Sequence, residues 1–368
     1  MQTEARTRRP VPAPVRIIAL AAAYSAGLIV LLAVTFAMLR IPVPMALKQL
    51  WVGAVGSADE GHLYAISSTL VEMAPLMLAA LSVCIAWRAG LFSIGAQGQI
   101  LMGALAATAT ARIASAAPIP APLITFMMLV TGVAAGAAWG ALAGLMRVKR
   151  GVQEVISTIM LNYTALHIVS WLVLGPLRAR GAYRTESDSL PDGILFARLI
   201  PSAWSDHIQT SLHAGVLLAL FVCPLVYIYM FRTSAGFQLR VLGANDEAAR
   251  TAHYPADRLK ISAMALSGGV AALGGVIQLL GSATGSLSAA SFSGNTGFTA
   301  IPAALLGGLH PAGAFVTSLF FAGLTQGCRN LEQNTGVSSV VIYVVQAAAV
   351  LAVVGIRAFR QRSETEAS

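Results

Sequence analysis

The chain is poor in charged residues. Only 11% of its 368 residues are charged, whereas 57% are hydrophobic, and the mean hydropathy is +0.73. In soluble globular domains roughly a quarter of the residues are charged. The composition therefore excludes a soluble globular protein and leaves no block that could fold as a separate soluble domain.

The chain also lacks the patterns that catalysis and metal binding require. Its three cysteines are scattered in or beside apolar runs, and its six histidines show no metal-ligand spacing. Neither a Gly-x-x-x-x-Gly-Lys-Ser/Thr phosphate loop nor a Gly-x-Ser-x-Gly nucleophile turn is present. We therefore expect no metal, no cofactor and no enzymatic activity, and the energy for any transport would come from a separate subunit.

Apolar runs long enough to cross a membrane recur along the chain. A span needs about 20 predominantly apolar residues of helix. Runs of this kind lie at 17–39, 65–87, 97–117, 121–146, 154–175, 211–231, 260–281, 312–328 and 337–357. A shorter, glycine-bounded piece at 298–309 predicts a half-helix or a re-entrant segment. The sequence thus predicts an all-α polytopic integral membrane protein with nine to ten transmembrane segments, some of them broken or re-entrant.

The basic residues orient these spans. Most of the 24 Lys and Arg fall on the inner side if the chain crosses ten times from a cytoplasmic N-terminus, whereas nine crossings would move the C-terminal arginines outside. Because the basic residues flank apolar runs, the net charge of +9 indicates membrane orientation and not nucleic-acid binding. We expect two cytoplasmic tails, a transmembrane domain, an outer (periplasmic) loop and an inner (cytoplasmic) loop: 1–16 and 358–368, 17–357, 175–210 and 232–259.

Glycines recur at every fourth position within the run at 121–146. Gly132, Gly136, Gly140 and Gly144 therefore lie on one face of a helix, where a neighbouring backbone can approach closely. We interpret this face as a helix-packing seam.

Two glycine-bounded segments, 90–99 and 297–311, interrupt the apolar pattern. Broken helices in two halves of a transporter indicate a transport site near the middle of the membrane, and the ten-span topology places these two segments at opposite membrane faces. Polar groups at or near the breaks, and one acid within an apolar run, are candidates for the pathway of a neutral polar solute. They are Ser93, Gln97, Gln99, Asn162, Gln278 and Glu72. The alternative is that these groups hold helices together.

A polar stretch at about 231–260 separates two apolar runs and contains the helix-forming sequence Asp-Glu-Ala-Ala. A short helix in a cytoplasmic loop is typical of a docking element for an ATPase, and the alternative is a solvated connector. The candidate coupling residues are Gly243, Asn245, Glu247, Ala248 and Ala249. A separate acid, Glu154, lies near Arg147 and is expected to start a helix or to form an ion pair.

Four stretches resemble the permeases of ABC importers, in the family shared by branched-chain amino acid and simple-sugar permeases and within its nucleoside-type branch. Residues 90–99 are similar to G-L-F-N-I-G-x-E-G-Q, and 151–163 to G-x-N-E-V-I-S-T-I-M-L-N-Y. Residues 297–313 are similar to G-F-x-x-I-x-V-A-L-L-G-x-x-x-P-x-G, and 236–252 resemble the loop that contacts the ATPase. The chain departs from these patterns at Ser93, Gln97 and Gln153.

This resemblance implies a permease in the inner membrane that moves a nucleoside or a related purine or pyrimidine compound. It implies four partners: a cytoplasmic ABC ATPase, a second related permease, an extracytoplasmic substrate-binding lipoprotein and the lipid bilayer. The alternatives are a simple-sugar ABC permease and a secondary carrier for a neutral solute.

Overall fold

The computed structural model describes residues 42–56, 62–179, 185–191, 193–199, 211–288, 292 and 295–336, together with the single residues 344, 347 and 351. The helices in these ranges are α1 (Val43–Val55), α2 (His62–Arg88), α3 (Ala96–Ala114), α4 (Ala121–Arg150), α5 (Glu154–Leu174), α6 (Ala214–Arg232), α7 (Ser234–Ala244), α8 (Asp246–Thr251), α9 (Ala256–Gly281), α10 (Thr296–Leu306) and α11 (Pro311–Thr335). No extended strand occurs in these ranges, in agreement with the all-α prediction.

Five of these helices are long and apolar enough to cross a membrane: α2, α4, α5, α6 and α9. Helices α3 and α11 coincide with predicted spans but carry more polar side chains, and α10 has only 11 residues. The predicted span at 17–39 lies outside the described residues, as does nearly all of 337–357. The count of nine to ten crossings therefore stays a prediction.

Helix α9 forms the centre of the unit that comprises residues 54–326. It packs most extensively against α4, and then against α2 and α3. Most residues in the apolar parts of α2 and α9 are buried, whereas most of those in α4, α5 and α6 are not. Since burial of an apolar helix on all sides is typical of a bundle centre, α2 and α9 are the inner pair.

The predicted glycine seam lies at the contact between α4 and α9. A Cβ atom at Gly136 would overlap Ala272 and the Gly268 carbonyl oxygen, and one at Gly140 would overlap the Met264 carbonyl oxygen. Gly132 and Gly144 lie against Val276 and Met264 in the same way. Only glycine permits this close approach of two backbones.

Helix α4 ends where the sequence indicates. Gly151 follows it with φ of +65°, and its N–H donates to the carbonyl oxygen of Arg147. Arg147 Nε lies 3.2 Å from Oε2 of Glu154, the first residue of α5. The expected role of Glu154 as a helix start and ion-pair partner is confirmed.

Residues 1–53 and 327–368 cluster as a second unit. In its described part, Gly327 lies against the backbone of Leu50, and Asn330 Nδ2 donates to the Gln49 carbonyl oxygen over 3.2 Å. Helix α1 contributes to this unit although the sequence pattern did not predict it.

Candidate functional site

The broken start of α3 is held by side chains of α5. The residue before α3, Gly95, offers no side-chain cap. Asn162 supplies the missing acceptor, because its Oδ1 accepts from the Gly98 N–H over 2.8 Å. Its Nδ2 donates to the Ile94 carbonyl oxygen over 2.9 Å, and Thr158 Oγ1 accepts from the Ile94 N–H over 3.2 Å. An amide on one helix thus satisfies the unpaired backbone groups at the start of another.

Helix α10 starts in the same manner, with Gln97 of α3 as the donor and acceptor. The preceding Asn295 makes no side-chain cap. Gln97 Oε1 accepts from the Gly297 N–H over 2.8 Å, and its Nε2 donates to the Phe292 carbonyl oxygen over 2.7 Å. Side chains of α5 therefore pair the backbone groups at the start of α3, and a side chain of α3 pairs those at the start of α10.

These contacts correct the expected arrangement of the two broken segments. Gln97 contacts Gly297 at one end of α10, and at the other end Arg88 donates to the carbonyl oxygens of Leu309 and Gly308 over 3.0 and 3.2 Å. The prediction that the segments lie at opposite membrane faces is wrong. They lie side by side, because Gln97 and Arg88 satisfy backbone groups that the broken helices cannot pair themselves.

Ser93 and Gln99 complete the group of buried polar residues around the α3 break. Ser93 Oγ accepts from the Gly95 N–H over 3.2 Å. Gln99 is 2% exposed, and among the described residues its Oε1 has no hydrogen-bond partner. These two residues, like Gln97 and Asn162, are buried at or near the start of α3.

The other two predicted pathway residues, Glu72 and Gln278, line a cavity of about 190 Å³. Its walls come from α2, from the end of α9 and from the start of α10: Val71, Glu72, Pro75, His213, Ile277, Gln278, Gly281, Ser282 and Thr296. A carboxylate, an amide, two hydroxyls and an imidazole therefore share one small space with apolar side chains. A few polar groups in a largely apolar cavity are typical of a small-molecule site.

His213, which the sequence analysis did not select, precedes α6 and forms one wall of this cavity. Its Nδ1 accepts from the Gly215 N–H over 3.2 Å, so Nε2 carries the proton of the neutral ring. The Phe196 ring stacks parallel to the imidazole at 5.8 Å, and the Phe196 N–H donates to the Leu280 carbonyl oxygen over 3.1 Å. A histidine near the start of the apolar run predicted at 211–231 was the only signal for this position.

The segment that carries Phe196 is attached to the chain that follows α9. Leu190 N–H donates to the Thr284 carbonyl oxygen, and Ser187 N–H to that of Leu287. In return, the Leu287 N–H donates to Ser187 Oγ over 2.9 Å. These hydrogen bonds connect the described part of the predicted outer loop to residues 284–287, which lie between α9 and α10.

At the other end of α9, the predicted coupling stretch forms the two short helices α7 and α8. Asn245 caps α8, with Oδ1 accepting from the N–H groups of Glu247 and Ala248 over 2.9 and 3.1 Å. Ala249 is fully buried in a cluster with Ala86, Leu239 and others. The α8 helix is therefore anchored by one apolar residue and exposes Glu247 and Ala248.

Gly243 connects this region to the α3 break. A Cβ atom there would overlap the Arg88 carbonyl oxygen, and Gly90, with φ of +75°, lies against its Cα. Of the five predicted coupling residues, only Ala249 is buried. Gly243, Asn245, Glu247 and Ala248 are exposed, and Gly243 also lies against the end of α2.

Ion pairs surround the exposed face of α8. Lys260 Nζ lies 2.9 Å from Asp246 Oδ2, and Arg250 Nη2 lies 2.7 Å from Asp257 Oδ1. The hydrogen bond from Lys260 lowers the pKa of Asp246 below its usual range, so this carboxylate is charged at neutral pH. Exposed pairs of this kind add little stability, but they fix the charge pattern of the surface.

Comparison with known proteins identifies the family. Residues 65–351 match the family described as branched-chain amino acid transport system / permease component. The glucose ABC transporter permease protein TsgB13 of Haloferax volcanii is 35% identical over 291 residues, 78% of this chain and 75% of its own. The guanosine ABC transporter permease protein NupP of Bacillus subtilis is 31% identical over 302 residues, 82% of this chain and 84% of its own.

A further relative is the nucleoside ABC transporter permease protein NupB of Lactococcus lactis, 31% identical over 304 residues, 82% of this chain and 80% of its own. No solved structure matches the chain significantly. The apolar helices, the broken segments and these similarities agree. The chain belongs to the branched-chain amino acid transport system permease family, and it is a multi-pass membrane permease component of an ABC transporter, in which a separate ATPase hydrolyses ATP.

Proposed function

We propose that this permease imports a nucleoside or a related purine or pyrimidine compound, and that the solute passes through the cavity between α2, α9 and α10. The observation that carries the proposal is the grouping of Glu72, Gln278, Thr296 and His213 around one space in a permease. A carboxylate accepts hydrogen bonds from ribose hydroxyls or base N–H groups, and an amide both donates and accepts. The similarity to permeases named for guanosine and nucleosides supports this solute class.

The cavity of about 190 Å³ is smaller than the roughly 300–1,000 Å³ typical of sites for drug-sized ligands. A whole nucleoside therefore enters only when α2 and α9 separate. The small residues at the contact of α9 with α4 let the two backbones lie close together, and small faces of this kind suit helices that slide past one another. In this account Gln97, Gln99, Asn162 and Ser93 border the path and hold the broken helices in register.

Each end of α9 is proposed to face a different protein partner. An ABC ATPase docks from the cytoplasm on the exposed face of α8, around Glu247 and Ala248. Its motion reaches the α3 break through Gly243, which lies directly against the residues that end α2. A binding lipoprotein delivers the solute at the outer segment that includes Phe196, and a second related permease completes the pathway. The termini lie in the cytoplasm, and the complex resides in the inner membrane.

Glucose is the second candidate solute, favoured by the 35% identity to the glucose permease of Haloferax volcanii. A sugar also presents several hydroxyls to Glu72 and Gln278. It differs from a nucleoside in having no planar ring to pack against Val71, Pro75 and Ile277, which form the apolar walls. A secondary carrier is disfavoured by membership of an ABC permease family.

The test is uptake by vesicles that contain the permease with its ATPase and binding protein. We expect ATP-dependent uptake of labelled guanosine that unlabelled adenosine or uridine reduces and that excess glucose leaves unchanged. Uptake of glucose with no effect of guanosine would transfer the function to the sugar candidate. Uptake without ATP would reject an ATP-driven importer.

A further inference from the structure

A cluster of positive charge and aromatic rings lies at the end of α6, on the side of α7 and α8. It comprises Arg88, Arg240, Phe231, Tyr227 and His310, and we call it the Phe231 cluster. The guanidinium carbon atoms of Arg88 and Arg240 lie 5.6 and 5.1 Å from the centroid of the Phe231 ring. The rings of His310 and Tyr227 lie 5.1 and 5.3 Å from the same centroid.

The two arginines place like charges on one ring. An arginine does not lose its proton in a protein, so their repulsion persists at any physiological pH. Arg88 donates to Leu309 and Gly308 carbonyl oxygens, whereas Arg240 Nε is buried without a hydrogen-bond partner among the described residues. Contact with an aromatic face compensates only part of the loss of water. An anion beside Arg240 would both pair the unsatisfied N–H and reduce the repulsion.

The surroundings of the cluster indicate an anion with an apolar tail. On α6, Phe221, Leu225 and Ile228 are each at least half exposed, and their spacing places them on one face of the helix. Phe231 follows Ile228 by one turn on that face. Phe237, 51% exposed, lies 5.8 Å from the guanidinium carbon of Arg240. An apolar stripe thus leads along a membrane-spanning helix directly to the arginines.

We propose that the Phe231 cluster binds the phosphate of an anionic phospholipid, with Arg240 donating to the phosphate and an acyl chain lying along the exposed face of α6. Basic groups at the ends of transmembrane helices commonly hold lipid headgroups, and guanidinium–phosphate pairs are strong, charge-assisted contacts. This site is separate from the solute cavity and does not depend on the proposed solute. It would connect the ends of α2, α6, α7 and α10 through one ligand.

The test uses the complete transporter in nanodiscs of phosphatidylcholine with or without phosphatidylglycerol, with retained lipids counted by native mass spectrometry after detergent release. We expect wild type to retain phosphatidylglycerol in preference to phosphatidylcholine. Arg240→Gln should weaken this retention roughly tenfold or more, the effect of losing a charge-assisted hydrogen bond. The matched control Arg258→Gln, which removes an exposed arginine from the start of α9, should retain the lipid as wild type does.

Arg240→Lys keeps the charge and should retain most of the lipid, which separates loss of binding from loss of folding. Three results would overturn the proposal. The first is equal retention by Arg240→Gln and Arg258→Gln, and the second is no preference for phosphatidylglycerol. The third is displacement of the lipid by millimolar inorganic phosphate, which would assign the cluster to a free anion.

Discussion

At the scale of single residues, amides that the sequence presented as a solute pathway form backbone caps. Asn162 and Gln97 each use both the oxygen and the nitrogen of the amide to pair backbone groups at the starts of α3 and α10. Hydrogen-bonding capacity alone could not distinguish the two uses, because a solute and an unpaired helix start require the same donors and acceptors. Glu72 and Gln278, in contrast, do line a cavity. Only the tertiary arrangement separates the two groups.

Replacing Asn162 by Ala should therefore destabilise the folded protein. The change leaves the Gly98 N–H and the Ile94 carbonyl oxygen without their partners, which costs about 1–3 kcal/mol for each buried group left unsatisfied. Thermal unfolding of the purified complex would show a lowered midpoint. Gln99→Leu is the comparison, since it removes an oxygen that is already unpaired among the described residues, and its midpoint should stay within experimental error or rise. Equal midpoints for the two variants would contradict the capping role.

At the scale of elements, the sequence predicted the helices well wherever they are long and apolar. The run expected at 154–175 is α5, Glu154–Leu174, and the one expected at 121–146 is α4, Ala121–Arg150. Helix α1 was missed because Val43–Val55 has Pro44 and Lys48 near its start and is too short to span a membrane. The pairing of α10 with α3 was also missed, since contacts between residues 200 positions apart leave no local pattern.

The glycine seam makes a steric prediction at this scale. Gly136→Ala should reduce the amount of assembled complex, because the added methyl group would overlap Ala272 and Gly268 and overpacking a tight contact costs about 1–3 kcal/mol. Gly323→Ala is the matched control, with Ala54 and Thr69 no closer than 3.5 Å to the new methyl group. It should be neutral or slightly stabilising, as alanine favours helix by up to about 1 kcal/mol. Size-exclusion chromatography of the extracted complex measures both, and intact assembly of Gly136→Ala would exclude a close-packed seam.

Helix α8 makes an energetic prediction. Glu247→Arg should leave membrane insertion unchanged and disconnect ATP hydrolysis from uptake, because reversing a charge at a docking surface costs several kcal/mol through like-charge contact. The control Glu247→Asp keeps the charge at the same exposed position and should leave the ratio of ATP hydrolysed to solute moved as in wild type. A normal ratio in Glu247→Arg would mean that α8 is a solvated connector.

At the scale of the whole molecule, two ends of the 54–326 unit carry different groups. Arg88, Gly243 and the α8 ion pairs lie at one end of α9, whereas His213, Phe196 and the cavity lie at the other. This polarity follows from the basic residues that flank the apolar runs. The sequence predicted neither that segments 90–99 and 297–311 lie side by side nor that His213 stacks on Phe196.

Topology gives the corresponding test. A cysteine at Ser189, which is exposed, should react with an impermeant maleimide in intact cells, whereas one at Ser363 should react only after the cells are opened. Ser187 is unsuitable for this purpose because it is 2% exposed. The native Cys84 and Cys328 are buried, and Cys223, which is partly exposed, is replaced by Ser in this background. Labelling of Ser363→Cys in intact cells would contradict the ten-crossing topology.

The central claim is that solute crosses through the cavity lined by Glu72. The most direct measurement is ATP-driven guanosine uptake by vesicles that contain Glu72→Gln transporter, with binding protein in excess. Loss of one charge-assisted hydrogen bond costs about 1.5–3 kcal/mol, so we predict at least a tenfold lower uptake rate with assembly and basal ATP hydrolysis unchanged. Wild-type uptake by Glu72→Gln would contradict the account and place the solute path elsewhere in the molecule.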